Sequence, residues 1–271
     1  MKKRYKYPLS FLAALLAASG MTACSVYHNI GTLPDAMRFA HLPYYRDGQF
    51  HARSELPYYP EKATGKGGFI RHSGYVPKSA LPMVELNRQS FGQAEDFAYY
   101  WLGHSSAIME LAGQRIVIDP VFGNAAPLNL PFVVPRIQNA PIARKELPAI
   151  DVVLITHDHY DHLEAATMRY LADKVPRFIA PLGVGARLQS WGVPAANITE
   201  LGWGDATEVN GVRYTAEEAL HYSARWRTDR NKTLWAAFVL EGAGKRIYWS
   251  GDTGYGEHFA EAGKQYGGVD L

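Results

Sequence analysis

The chain has 271 residues, of which 47% are hydrophobic, so it is long enough to bury one sizeable core or two small ones. Its formal net charge of +2 is small and its basic residues are scattered, which argues against a nucleic-acid partner. A single cysteine excludes an intrachain disulfide framework.

Residues 1–23 have the pattern of an export signal, with a basic start and an apolar run over 9–18. This run is shorter than the ~20 residues that span a bilayer, so we favour a cleaved signal over a permanent transmembrane helix. Small residues then lead into Cys24, and this ending resembles a bacterial lipoprotein signal. An ordinary cleaved signal is the alternative. We therefore expect Cys24 to be acylated and, by the same resemblance, Ser25 to sort the protein to the outer membrane of the cell envelope, facing the periplasm.

The segment 24–90 is rich in tyrosine, proline and glycine, as in residues 42–45 (LPYY), 56–60 (LPYYP) and 65–68 (GKGG). Proline and glycine at this density interrupt long elements, which predicts an irregular arm. We expect its aromatic residues to pack on the domain that follows, and contact with lipid is the alternative.

A compact domain is predicted over residues 91–271, beginning with strands at 99–102, 107–111 and 115–118. His104 lies in the turn between the first two strands, where it could be a metal ligand or bond within the turn. We favour a supporting or structural role for it. Residues 123–148 hold five prolines and predict a long loop near the functional site.

The densest group of potential metal ligands follows a β-branched, aliphatic run at 152–155, which predicts a buried strand. Imidazole and carboxylate groups suit zinc. Ligands spaced along an extended or bent loop can point to two neighbouring positions, which would serve two adjacent metal ions better than one. A polar surface loop is the alternative, but three of the ten histidines fall in this one window. The cluster comprises His157, Asp158, His159, Asp161 and His162.

Helical spacing from Ala165 onwards predicts a helix directly after this cluster, which places the cluster at a strand end where α/β folds commonly hold their sites. A strand at 177–180 and a helix at 186–191 follow. The Asn-Gly pair at 210–211 predicts a tight hairpin before a strand at 212–215.

Two further polar groups lie after predicted strands. His221 is the first, and a site that already holds three histidines needs more ligands. Asp252 lies between Gly251 and Thr253, directly after a predicted strand at 246–250. Glycine lets the backbone approach a bound group closely, which favours Asp252 as a ligand over a turn without a metal function.

Several motifs, in order from about residue 95 to the end, resemble the metallo-β-lactamase superfamily. The family pattern H-x-H-x-D-H is present as His157 to His162, with a later histidine and a later aspartate. Further motifs are similar to the branch that contains N-acyl-phosphatidylethanolamine-hydrolysing phospholipase D. They are residues 101–106 (WLGHSS), 118–122 (IDPVF), 156–163 (THDHYDHL), 181–183 (PLG), 221–225 (HYSAR), 230–235 (RNKTLW) and 251–255 (GDTGY).

The resemblance implies an α/β fold, a four-layer αβ/βα sandwich with two zinc ions at one edge of the paired sheets. It assigns His157, His159 and His221 to one ion and Asp161 and His162 to the other. It also makes Asp252 the bridging ligand. The family continues beyond the part that matches 266–271, where it supplies a last metal-binding histidine, so we expect the C-terminal part of the domain to be missing here.

The implied activity is hydrolysis of an N-acyl phospholipid or a related phosphodiester by a metal-bound hydroxide. Asp252 would orient that hydroxide, and Asp158 would act in the second shell or in proton transfer. A membrane lipid is then the substrate, and a lipid anchor would hold the site near it. The alternatives are a lactonase or other small-ester hydrolase, and an inactive remnant or membrane-anchored binding module.

Overall fold

A computed structural model describes residues 24–53, 77–93, 96–127, 134 and 136–271. The export signal and the motifs at 56–60 and 65–68 lie outside these ranges. Within them, every helix is too short or too polar to cross a bilayer.

Six strands form the larger sheet, in the order β3-β4-β5-β6-β7-β8. Strands β3, β4 and β5 pair antiparallel. Strands β6, β7 and β8 extend the sheet from β5, and each of them runs parallel to its neighbours. The parallel strands lie in the interior and carry long apolar runs, as such strands require. Their bounds are β3 (Phe97–Gly103), β4 (Ser106–Leu111), β5 (Gln114–Ile118), β6 (Val152–Leu154), β7 (Arg177–Pro181) and β8 (Ile198–Leu201).

Two helices, α1 (Ala165–Leu171) and α2 (Val184–Ser190), cover one face of this sheet. Alternate residues of the strands point to opposite faces. Val153 therefore packs with Met168 and Leu188 of the helices, while its neighbour Leu154 points to the other side of the sheet. The predicted elements at 152–155, 177–180 and 186–191 are confirmed to within two residues.

A second sheet of four antiparallel strands, ordered β12-β11-β10-β9, packs on that other side. Tyr214 and Phe238 meet Leu154 in the core between the two sheets. The predicted hairpin is confirmed, because Asn210 and Gly211 have positive φ angles of 44° and 82°. The strands are β9 (Ala206–Val209), β10 (Val212–Glu217), β11 (Ala237–Gly242) and β12 (Lys245–Trp249).

The outer face of the second sheet is covered by α3 (Glu257–Tyr266), whose Phe259 ring lies 5.9 Å from the ring of Tyr248. The edge of β12 is hydrogen-bonded by the last residues, since the Tyr248 amide donates to the Leu271 carbonyl at 2.8 Å. Helices, sheet, sheet and helix make four layers, and the predicted fold class is confirmed.

The arm 24–90 is more regular than predicted. Residues 24–30 are helical, and β1 (Tyr45–Arg46) pairs with β2 (Gln49–Phe50) in a short hairpin. Phe39 and Phe50 are buried against Trp235 of the domain. The prediction that aromatic residues of the arm pack on the domain is confirmed for these two.

Candidate metal centre

The candidate site lies where loops leave both sheets at one edge. The loop after β6 carries the cluster 157–162, and Asp119 ends β5 beside it. His221 follows β10 and Asp252 follows β12, so the second sheet supplies its residues from two strand ends. All six predicted ligands lie in groups whose donor atoms are within 4.8 Å of one another.

The first group consists of His157, His159 and His221. His159 Nδ1 lies 2.8 Å from His157 Nε2 and 3.1 Å from His221 Nε2. Three imidazoles that converge in this way offer three neutral nitrogen donors to one borderline divalent ion.

The second group consists of Asp161, His162 and His104. His104 Nε2 lies 2.9 Å from Asp161 Oδ2. The structure therefore places His104 among the potential donors, whereas we favoured a supporting or structural role for it from the sequence.

Asp252 lies between the two groups. Its Oδ1 is 3.3 Å from His162 Nε2, and its Oδ2 is 3.7 Å from His221 Nε2. Each oxygen faces a different group, which is the arrangement that a carboxylate bridging two ions requires.

Asp119 orients the second group and was not among the predicted site residues. Its Oδ2 lies 2.8 Å from His162 Nδ1 and accepts from the Thr156 hydroxyl, and its Oδ1 accepts from the Thr156 amide. The sequence signals were its place at a predicted strand end and in the motif at 118–122. With Nδ1 engaged, His162 presents Nε2 to the site, and this buried atom has no hydrogen-bond partner. A histidine fixed in this way by an outer carboxylate is a common metal ligand, so the residues fit a divalent ion.

The electrostatics of the site keep most donors ready for a metal, and His162 is the exception, because its contact with Asp119 outweighs burial and raises the pKa of His162 to about 10. Burial, reinforced by the neighbouring imidazoles, lowers the pKa of His157 far below its usual value. Burial likewise lowers the pKa of His221 to about 4. The close approach of the His162 imidazole, whose Nε2 lies 3.3 Å from Oδ1, lowers the pKa of Asp252. Neutral imidazoles and an ionised carboxylate are the forms that bind metal.

The His221 and Asp252 loops are joined to each other. The Leu220 amide donates to Thr253 Oγ1 at 2.9 Å, and the Gly254 amide donates to the Leu220 carbonyl at 2.8 Å. Gly251 has a φ of +55°, and a Cβ there would lie 3.0 Å from Thr156. The backbone at this glycine therefore packs closely on Thr156, and its approach to a bound group stays a prediction.

Asp158 does not join the donor groups. Its side chain is fully buried, its Oδ2 accepts from Arg187 Nε at 2.8 Å and from the Thr233 hydroxyl at 2.9 Å, and Arg225 donates to its carbonyl oxygen. This ion pair directs the carboxylate away from the ligands into the domain. The geometry therefore gives Asp158 a supporting role beneath the ligand loop and does not favour proton transfer.

An apolar cavity of about 610 Å³ adjoins the second donor group. His104 and Asp161 line it together with apolar side chains from the arm and from the 123–148 loop. Leu81, Met83, Val84, Leu86 and Ile137 are among these, and Val121 lies beside them.

Cys24, the predicted lipidation site, is exposed at the start of the described chain. A few residues later the backbone is held firmly. Arg187 donates to the Ile30 carbonyl, Arg225 donates to the Asn29 carbonyl, and Trp191 donates to the His28 carbonyl. The two arginines also bond to Asp158, so residues 28–30 and the ligand loop share the same supports.

The fold and the donor groups define a class, a four-layer α/β protein with a histidine and aspartate centre at the edge of its two sheets. A β-lactamase superfamily domain matches residues 114–271, more than half of the chain. The chain belongs to this family.

Relatives are similar over most of the chain. An uncharacterised protein of Mycobacterium tuberculosis is 39% identical over 203 residues, which cover 74% of this chain and 54% of that protein. An N-acyl-phosphatidylethanolamine-hydrolyzing phospholipase D of Caenorhabditis elegans is 31% identical over 206 residues, which cover 72% of this chain and 58% of that protein. The chain thus spans little more than half the length of these relatives.

Among solved structures, a variant of the CmlA β-hydroxylase has a TM-score of 0.50 and 18% identity, with 65% of this chain and 34% of that chain covered. This similarity shows the fold alone.

Proposed function

We propose that this protein is a hydrolase with two divalent metal ions, zinc in the first instance, that cleaves the phosphodiester of an N-acyl phospholipid. The observation that carries the proposal is the position of the apolar cavity, which adjoins the donor group of Asp161 and His104. A substrate with a phosphate at the centre and hydrocarbon beside it matches that pair of features. The similarity to the nematode phospholipase D supports the same substrate class.

His157, His159 and His221 would hold one ion, and Asp161 and His162 would hold the other, with Asp252 between them. When bound, such ions make a nucleophile available from water at neutral pH and neutralise charge on the phosphoryl oxygens. Asp252 remains partly exposed, with 44% of its side chain accessible, so one of its oxygens can hydrogen-bond to the attacking water and orient it.

The cavity would bind an acyl chain and exclude water from it. Burial of hydrocarbon contributes roughly 0.8 kcal/mol per methylene group, so a few methylenes in contact with Leu86 and Met83 are enough to position the phosphate reproducibly. Binding energy from this remote part of the substrate would thus orient the scissile bond at the metal centre.

We further propose that Cys24 is acylated after cleavage of residues 1–23 and anchors the domain to the outer membrane, facing the periplasm. The exposed position of Cys24 supports this. The bonds to residues 28–30 would leave only a short tether between the lipid and the domain, which would keep the cavity close to a membrane substrate.

The test is hydrolysis by the full chain in zinc, with an N-acyl phospholipid and a water-soluble lactone offered in parallel. Release of the N-acyl ethanolamine from the lipid, with little turnover of the lactone, is the expected result. Preference for the lactone would identify a small-ester hydrolase instead. Turnover of neither substrate, with metal bound, would contradict the proposal.

A matched pair of variants tests the role of the cavity. Met83→Asp places a charge in the cavity lining, and we expect kcat/KM for a long-chain lipid to fall about tenfold while that for a short-chain analogue is unchanged. Met37→Asp is the control, because Met37 is exposed and does not line the cavity. Equal losses for both substrates would refute an acyl-chain site.

A further inference from the structure

The turn that carries His104 has a backbone that glycine would adopt more readily. Gly103 pairs with Ser106, so only His104 and Ser105 form the turn between β3 and β4. His104 has a φ of +53°, in the left-handed region that residues with a Cβ rarely enter. A two-residue hairpin turn requires this positive φ, so the turn itself fixes the backbone from which the imidazole projects.

The turn is also held against the ligand loop. The Ser105 hydroxyl donates to the Asp161 carbonyl at 3.1 Å, and Trp101 Nε1 donates to the His104 carbonyl at 2.8 Å. These bonds fix the backbone on both sides of the imidazole. His104 Nε2 therefore lies 2.9 Å from Asp161 Oδ2, although more than half of its side chain is exposed.

The position of this imidazole completes a donor set. His104, Asp161 and His162 each offer one atom within 4.8 Å of the others. Donors that share an ion at ~2.0–2.2 Å lie about 3 Å apart, so the 2.9 Å between His104 Nε2 and Asp161 Oδ2 needs little adjustment. His162 Nε2 is the independent observation, because it is buried in this group without a hydrogen-bond partner. It lies at ion-pair distance from Asp252, 3.3 Å, but is not in hydrogen-bonding geometry with it.

We propose that His104 is a ligand of the second ion. This inference rests on the proposed function for the presence of that ion, and it gives the ion two imidazoles and two carboxylates, those of His104, His162, Asp161 and Asp252. The competing role for His104 is a hydrogen bond that only orients Asp161. The two roles differ in whether a bond joins His104 Nε2 to the metal.

The decisive experiment detects that bond directly. The full chain is produced with nitrogen-labelled histidine, loaded with a spin-active cadmium isotope, and observed by nuclear magnetic resonance. A metal–nitrogen scalar coupling on His104 Nε2, assigned with the His104→Gln variant, is the expected result. Couplings on His157 and His162 without one on His104 would overturn the inference and leave the proposed function intact. No cadmium binding would overturn both.

A variant tests the same point through affinity. Glutamine can place its side-chain amide nitrogen close to the position of His104 Nε2 and can still donate to Asp161, so His104→Gln preserves an orienting role and removes the imidazole ligand. We expect zinc titration to show the first ion unchanged and the second weakened beyond the ~10–100-fold that loss of an outer-shell partner costs. His41→Ala, at an exposed histidine remote from the donor groups, should bind both ions normally. Wild-type affinity for the second ion in His104→Gln would refute the ligand role.

Discussion

The buried ion pair between Asp158 and Arg187 gives the clearest prediction about how the metal loop is supported. Both side chains are fully buried. Removal of one partner of a buried pair costs about 3–5 kcal/mol, because the other charge is left in the interior. Asp229 also pairs with Arg187, at 2.9 Å, and would still face it in the variant. We therefore expect Asp158→Ala to lower the free energy of unfolding by about 3 kcal/mol, at the low end of that range.

Urea unfolding of the metal-free chain, followed by tryptophan fluorescence, measures this loss as a lower midpoint at unchanged slope. Asp158→Asn keeps an acceptor for Arg187 and should cost about half as much. Asp173→Asn, at an exposed pair with Lys174, should leave the midpoint unchanged. If Asp158→Ala had wild-type stability and yet lost turnover, Asp158 would act in the chemistry and the supporting role would be refuted.

Three further predictions concern the surroundings of the site. Gly251→Ala should lower the free energy of unfolding by more than about 1 kcal/mol, because of its positive φ and its contact with Thr156, whereas Gly263→Ala in α3 should be neutral or stabilising by urea unfolding. Thr253→Val should weaken zinc binding, as measured by calorimetry, without changing the fold. The variant removes the hydrogen bond that joins the loop of Asp252 to the loop of His221. Burial raises the pKa of Glu217, so its carboxylate destabilises the fold as pH rises through that value. Glu217→Gln should therefore melt higher than wild type at neutral pH, and the difference should vanish in acid.

The layered fold and the order of its elements were predictable because burial leaves a local pattern. The apolar run at 152–155 and the Asn-Gly pair at 210–211 each specify one element from adjacent residues. The six predicted ligands followed from residue type and from their position after strands. Their convergence in the structure supports the metal prediction and leaves the identity and number of ions to experiment.

The supports of the site were not predictable, because they are non-local. Arg187 and Arg225 are buried, although arginine is mostly exposed in proteins, and their partners lie far away in the sequence. Asp158 was expected either to support the ligands from behind or to take part in proton transfer, and the sequence did not decide between the two. Adjacent side chains on an extended loop point in opposite directions, and that geometry sends Asp158 to Arg187 and Arg225. The orientation of His104 likewise depends on a turn held by Trp101 and Ser105.

Elemental analysis of the purified chain, after dialysis against zinc and removal of free metal, tests the central claim most directly. We predict two zinc ions per chain in the wild type. The Asp252 carboxylate faces both donor groups, so Asp252→Ala should lose bound zinc and should lose lipid hydrolysis. His41→Ala should retain both properties. A chain that holds no zinc, or a chain that cleaves the lipid equally well without metal, would contradict the account.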